Sequence, residues 1–225
     1  MTERKYAIVT GGSLGLGRAV AAELVQHGWE VVIDGRDSHA LEEAARRTGA
    51  IAIPGDVTDE SHRARLLGGD RLDLLINNAS DLGASPLPPL ENYPLGVLRS
   101  VFETNVVAPL ALIQAALPAL RRSGGAVVNV TSDAAVEPYP GWGGYGASKA
   151  ALDQMSAVLA AENDAVRIWS FDPGDMRTRM HQAAFPGEDI GDRPAPETVA
   201  PYVHRLVVER PPSGRVRASD LVGLR

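Results

Sequence analysis

The chain has 225 residues, 44% hydrophobic and 22% charged, with a net charge of −6 and a pI near 5.4. That length suits one large domain or two small ones with a substantial core, and the acidic balance argues against a general nucleic-acid binder, which needs a basic field. No cysteine occurs, which excludes disulfides, thiolate catalysis and cysteine metal sites.

The start, MTERKYAIVT, lacks the apolar core of a signal peptide, and no run of about 18 apolar residues follows. A soluble cytoplasmic protein, not bound to a membrane, is expected. Apolar, β-branched runs predict strands at 6–10, 30–34, 50–54, 72–77, 126–132 and 166–172, with a weaker seventh at 214–218. Segments rich in Ala, Leu, Glu and Arg predict helices at 17–27, 38–48, 59–68, 94–123, 145–163 and 196–209. Strands that are apolar throughout, each followed by a helix, imply an α/β fold with a parallel sheet covered on both faces. No linker or repeat divides the chain, so residues 1–225 read as a single domain. The loops at 80–94 and 185–196 are rich in Pro and Gly. The second follows a strand end, where ligands bind in such sheets, so a substrate lid is expected at about 176–196; a plain surface loop is the alternative.

Directly after the first strand comes TGGSLGLG, with Thr10, Gly11, Ser13, Leu14, Gly15, Leu16 and Gly17 at the mouth of a helix. A helix start offers free N–H groups and a positive dipole end, and glycines let a backbone approach phosphates closely. A glycine cluster alone would also suit an ordinary turn; its place between strand and helix favours a dinucleotide. The second strand ends Ile33-Asp34-Gly35-Arg36. An acid at this tip reads a ribose hydroxyl and favours NAD(H), whereas an arginine pairs with a 2′-phosphate and favours NADP(H). Asp34 falls where the strand still runs and Arg36 follows the tip, so NADP(H) is favoured, with NAD(H) as the alternative.

Asp56-Val57 follows the third strand, Asn78-Ala79 the fourth, and Ser132 ends the fifth; Tyr145 and Lys149 open the next long helix. Positions i and i+4 share a helix face, so Lys149 is expected beside the Tyr145 phenol, lowering its pKa. A phenol tuned in this way exchanges protons at working pH, and Ser132 is placed to hold a carbonyl oxygen.

This ordered set resembles the short-chain dehydrogenase/reductase family. TGGSLGLG, Asp56-Val57, NNAS, Asn105 in ETNV, Ser132, YGASK, and Asp172-Pro173-Gly174 followed by Thr178 all match, over about residues 5–180. The resemblance implies a Rossmann-type doubly wound fold with a seven-stranded parallel sheet. It implies Tyr145 as general acid/base, Ser132 as carbonyl orienter and Lys149 on the nicotinamide ribose. Asn105 would interrupt its helix and hold a water leading to Lys149. Asp56 and Val57 would meet the adenine, Asn78 and Ala79 the adenosine ribose, and Pro173, Gly174, Met176 and Thr178 the nicotinamide. A basic residue at Arg36 accompanies NADP(H) preference in the family. The expected function is reduction of a small-molecule ketone or aldehyde to an alcohol; alternatives are a non-catalytic redox sensor or regulatory protein, or an epimerase or dehydratase on the same scaffold.

The stretch from Val136 to Glu162 resembles the sepiapterin-reductase branch, although Ala218 stands where that branch has an acidic substrate anchor; Asp220 is a candidate substitute. Ser80 replaces the usual glycine after NNA, with little effect expected. The ending ASDLVGLR lacks the family's glycine pair. Asp133, Tyr139 and Trp142 are candidate substrate contacts. His181 reads as a surface residue, and no metal site is expected because the five histidines show no H-x-x-x-H spacing. The apolar helices around 98–120 and 147–161 correspond to the family's dimer contacts, so a homodimer or homotetramer is expected.

Overall fold

The computed structural model describes residues 4–221, so the readings of the first three residues and of the last four lie outside it. Seven strands are present: β1 (Tyr6–Val9), β2 (Glu30–Gly35), β3 (Ile51–Pro54), β4 (Leu74–Asn77), β5 (Ala126–Val130), β6 (Arg167–Asp172) and β7 (Gly214–Arg217). They form one parallel sheet in the order β3-β2-β1-β4-β5-β6-β7. Ile8 of β1 stands opposite Val32 on one side and Leu75 on the other. The winding direction reverses between β1 and β4, which opens a crevice at the carboxyl ends of the strands.

The helices are α1 (Gly15–Gln26), α2 (Ser38–Thr48), α3 (Glu60–Leu66), α4 (Leu95–Phe102), α5 (Ala108–Ser123), α6 (Gly143–Glu162), α7 (Arg179–Ala184) and α8 (Pro196–Glu209). They cover both faces because both faces of each central strand are apolar. Ala7, Val9, Ile33 and Trp169 pack beneath α1, α2 and α8, joined by Leu24, Leu41 and Leu206. Ile8, Val32, Leu75 and Ile168 pack on the opposite face with Leu66 of α3 and with Leu112 and Ala116 of α5. The Asp37 side chain accepts the Ala40 N–H at 3.1 Å to start α2, and Gly49 ends it at φ +80°.

The helix expected over 94–123 is interrupted at Asn105, as the resemblance implied: a π-helical turn, Glu103–Val107, separates α4 from α5. That turn buries Asn105 completely. The whole stretch Leu95–Ser123 is long and apolar enough by composition to cross a membrane. Its residues Leu112, Ile113, Ala116 and Leu120 are instead buried in the core against the sheet, as a core helix requires. The fifth strand stops at Val130, two residues earlier than expected. Thr131 still donates its N–H to the Phe171 carbonyl of β6 at 2.9 Å, and the chain then turns away because Ser132 caps a short 3-10 turn, Asp133–Ala135, accepting the Ala134 N–H at 3.2 Å.

Candidate active site

One cavity of about 1190 Å³ opens at the carboxyl ends of the strands. At one end lies the glycine loop. The chain leaves β1 and passes through Gly11 (φ +66°) and Gly15 (φ +55°), conformations that glycine adopts without strain. Leu14 precedes α1 without any side-chain cap, so the first N–H groups of the helix remain available to an anion. Gly11, Ser13, Leu14, Gly15 and Leu16 line the cavity. Gly17 does not; a side chain there would strike the Gly11 carbonyl and the Asn78 amide. Gly17 therefore serves close packing of helix on strand. Asn78 and Ala79 also line the cavity, but the Asn78 amide donates to the Thr10 and Gly11 carbonyls at 2.9 and 3.2 Å. Its side chain secures the loop.

Asp34 is 1% exposed. One carboxylate oxygen accepts the Gly11 N–H at 2.6 Å, and the other lies 3.0 Å from His62 Nε2. Both oxygens are held within the protein, which removes the acid that favoured NAD(H). His62, fully buried, carried no local sequence signal; it fills the space that Gly55 leaves by lacking a side chain. Arg36 sits exposed on the cavity rim and pairs with no acid among the described residues. Asp56 and Val57 line the same end, with Asp56 accepting the Thr58 N–H and hydroxyl, both at 2.9 Å. A free helix start, a loop only glycine can form and an unpaired arginine fit a phosphorylated dinucleotide.

Ser132, Tyr145 and Lys149 share the cavity wall beside β5. Lys149, 2% exposed, donates to the Val130 carbonyl at 2.8 Å, and its nitrogen lies 5.5 Å from the centre of the Tyr145 ring. Burial lowers the Lys149 pKa to about 8, opposed by the charge of Asp153. Burial pushes the Tyr145 phenol far above its usual value; a hydrogen bond with Ser80 opposes this, and Asp133 and Asp172 add to the rise. The expected lowering by Lys149 is thus corrected. The amine lies against the ring and Val130, and burial of the phenol sets the direction of the shift.

Asn105 lies behind this wall. Its amide donates to the Asp81 carbonyl at 2.8 Å and to the Ser148 hydroxyl at 3.0 Å. Its oxygen accepts from the Asp81 N–H at 2.7 Å and the Ser80 hydroxyl at 3.1 Å. Ser80 thereby ties the loop after β4 to Asn105. Arg215 also went unnoticed in sequence. It donates to the Ser132 carbonyl at 2.8 Å and binds Asp172 at 2.9 Å and Asp153 at 3.1 Å, tying three elements beneath the site.

Pro173, Gly174, Met176 and Thr178 line the cavity opposite the glycine loop. Asp133, Tyr139 and Trp142 line its outer part, with the Tyr139 hydroxyl donating to Asp133 at 3.0 Å. Trp142 meets Tyr145 edge-on at 5.8 Å and Phe185 at 5.9 Å. His181, expected on the surface, is in the wall: α7 turns it inward, its side chain is 9% exposed and its ring lies 5.0 Å from that of Phe185. Asp220 does not reach the cavity; it accepts the Arg217 N–H at 3.1 Å and is exposed. It cannot replace the acidic anchor of the sepiapterin-reductase branch from that position.

The short chain dehydrogenase family model matches residues 5–189. A rhamnolipid-biosynthesis 3-oxoacyl-[acyl-carrier-protein] reductase of Pseudomonas aeruginosa is 38% identical over 193 residues, 78% of this chain and 74% of that protein. Mouse sepiapterin reductase is 34% identical over 200 residues, covering 79% and 76%. Among solved structures, a short chain dehydrogenase of Shigella flexneri complexed with NADP superposes with a TM-score of 0.86 at 28% identity, covering 96% of this chain and 97% of the other. With its seven-stranded parallel sheet, glycine loop and matched length, the chain belongs to the short-chain dehydrogenase family of oxidoreductases.

Proposed function

We propose that the chain is an NADP(H)-dependent carbonyl reductase, interconverting a small ketone or aldehyde with its alcohol. The observation that carries this reading is the shared cavity, in which Ser132, Tyr145 and Lys149 line one wall and the glycine loop and Arg36 another. Ser132 holds the carbonyl oxygen. Tyr145, kept protonated by burial, gives its proton to that oxygen. Lys149, cationic below about pH 8, stabilises the phenolate left behind. Asn105 and Arg215 hold these groups in register. When bound in this cavity, a nicotinamide cofactor would supply hydride chemistry. Arg36 takes the 2′-phosphate, supported by the burial of Asp34 and by the relatives solved with NADP or NADPH. The segment at about 176–196 serves as the substrate lid. Exposed Leu95, Val107 and Val158 on the helices of the expected dimer face support a homo-oligomer, and the buried face of α5 supports a soluble, cytoplasmic enzyme.

The test is NADPH oxidation over a panel of ketones and aldehydes, with NADPH and NADH binding followed by tryptophan fluorescence. Tyr145→Phe is expected to lower turnover by roughly 10²-fold or more and to leave NADPH binding intact. Unchanged turnover overturns the proton-donor role, and tighter NADH than NADPH binding overturns the role of Arg36.

A further inference from the structure

Far from the cavity, α1 and α8 bring three potential ligands together. Glu23 and His27 stand four residues apart, so they share one face at the C-terminal end of α1. His204 comes from α8, packed alongside. The His27 and His204 rings stack, with centroids 3.7 Å apart and 24° between their planes. His27 Nδ1 donates to the Glu23 carbonyl at 2.9 Å and stands 3.6 Å from Glu23 Oε1, which leaves His27 Nε2 as its ligating atom; one donor atom from each of the three residues lies within 4.8 Å of the others. Along the axis of α1 this cluster is about 18 Å from the glycine loop.

Two stacked imidazoles repel one another if both are charged. The two rings stand together beside the Glu23 carboxylate. Two imidazoles and one carboxylate form a donor set that zinc and similar ions take, with bonds of about 2.0–2.2 Å. The His27 side chain is 45% exposed, which gives an ion access from solvent. We propose that Glu23, His27 and His204 form a divalent transition-metal site of the zinc type, clamping the end of α1 to α8 and leaving one coordination position for water. The absence of H-x-x-x-H spacing concealed it, because the local pair is Glu-x-x-x-His, Glu23 in α1 and His27 at its C-cap, and the third ligand lies on α8.

Zinc chloride titrated calorimetrically into the tag-free chain at about pH 7.5 tests the site, together with thermal unfolding. One ion per chain is expected, with a rise in unfolding temperature that EDTA reverses. His204→Asn and Glu23→Gln are each expected to weaken zinc binding by roughly tenfold or more while NADPH binding stays unchanged. Affinity is expected to fall as pH drops through the histidine range, because protons compete for the same nitrogens. No saturable uptake by the wild-type chain overturns the proposal, as does undiminished uptake by both variants. If His204→Asn fails to fold, Glu23→Gln alone decides.

Discussion

Lys149 and Tyr145 are both almost fully buried, and neither charged form is at ease in that setting. Their spacing of four residues was legible in sequence, as was the placing of Ser132 near them. The direction of their pKa shifts was not, because it is set first by burial, which elements distant in the chain impose. The consequence is a pH dependence. Burial depresses the Lys149 pKa to about 8, so its charge is present below that pH and lost above it. If the ammonium stabilises the Tyr145 phenolate, kcat/KM for reduction declines as pH rises through about 8. A pH profile of NADPH-dependent reduction checks this, and Lys149→Met should remove the inflection along with most of the rate. A wild-type profile flat from pH 7 to about 9 would exclude that role for Lys149.

The glycine loop and the π-helical turn show how whole elements carry the site. The strand–glycine–helix order of the loop is written in consecutive residues, so it could be read directly. The break in the long apolar helix was implied only by the resemblance at Asn105, in the polar Glu103-Thr104-Asn105; the distant partners of Asn105, on the loop after β4 and on α6, show why it matters. Gly17 lies where α1 crosses the Gly11 carbonyl. Gly17→Ala is expected to destabilise the chain by about 1–3 kcal/mol through overpacking and to weaken NADPH binding, because the loop must shift outward. Thermal unfolding and fluorescence titration read the two effects. Unaltered values for both would show that the loop is not held by that contact.

At the scale of the molecule, a ligand that binds only the folded chain stabilises it by mass action. NADPH at one hundred times its dissociation constant should contribute about 2.7 kcal/mol and raise the unfolding temperature by roughly 5–10 °C for a domain of this size. NADH at the same concentration should do markedly less if Arg36 and the sequestered Asp34 set the preference, and equal shifts would contradict it. The sequence by itself determined the alternation of strands and helices, the parallel sheet, the glycine loop and the Ser132–Tyr145–Lys149 grouping. The first three follow from local periodicity and turn chemistry and the Tyr145–Lys149 pair from its i, i+4 spacing, while Ser132 joined them through its place at a strand end and the family resemblance. Only the tertiary structure decided that His62 occupies Asp34, that Arg215 braces Ser132, that His181 turns into the cavity and that His204 meets His27. These contacts join residues far apart in the chain, and they exist because burying both faces of one sheet forces particular helices and strands to lie side by side.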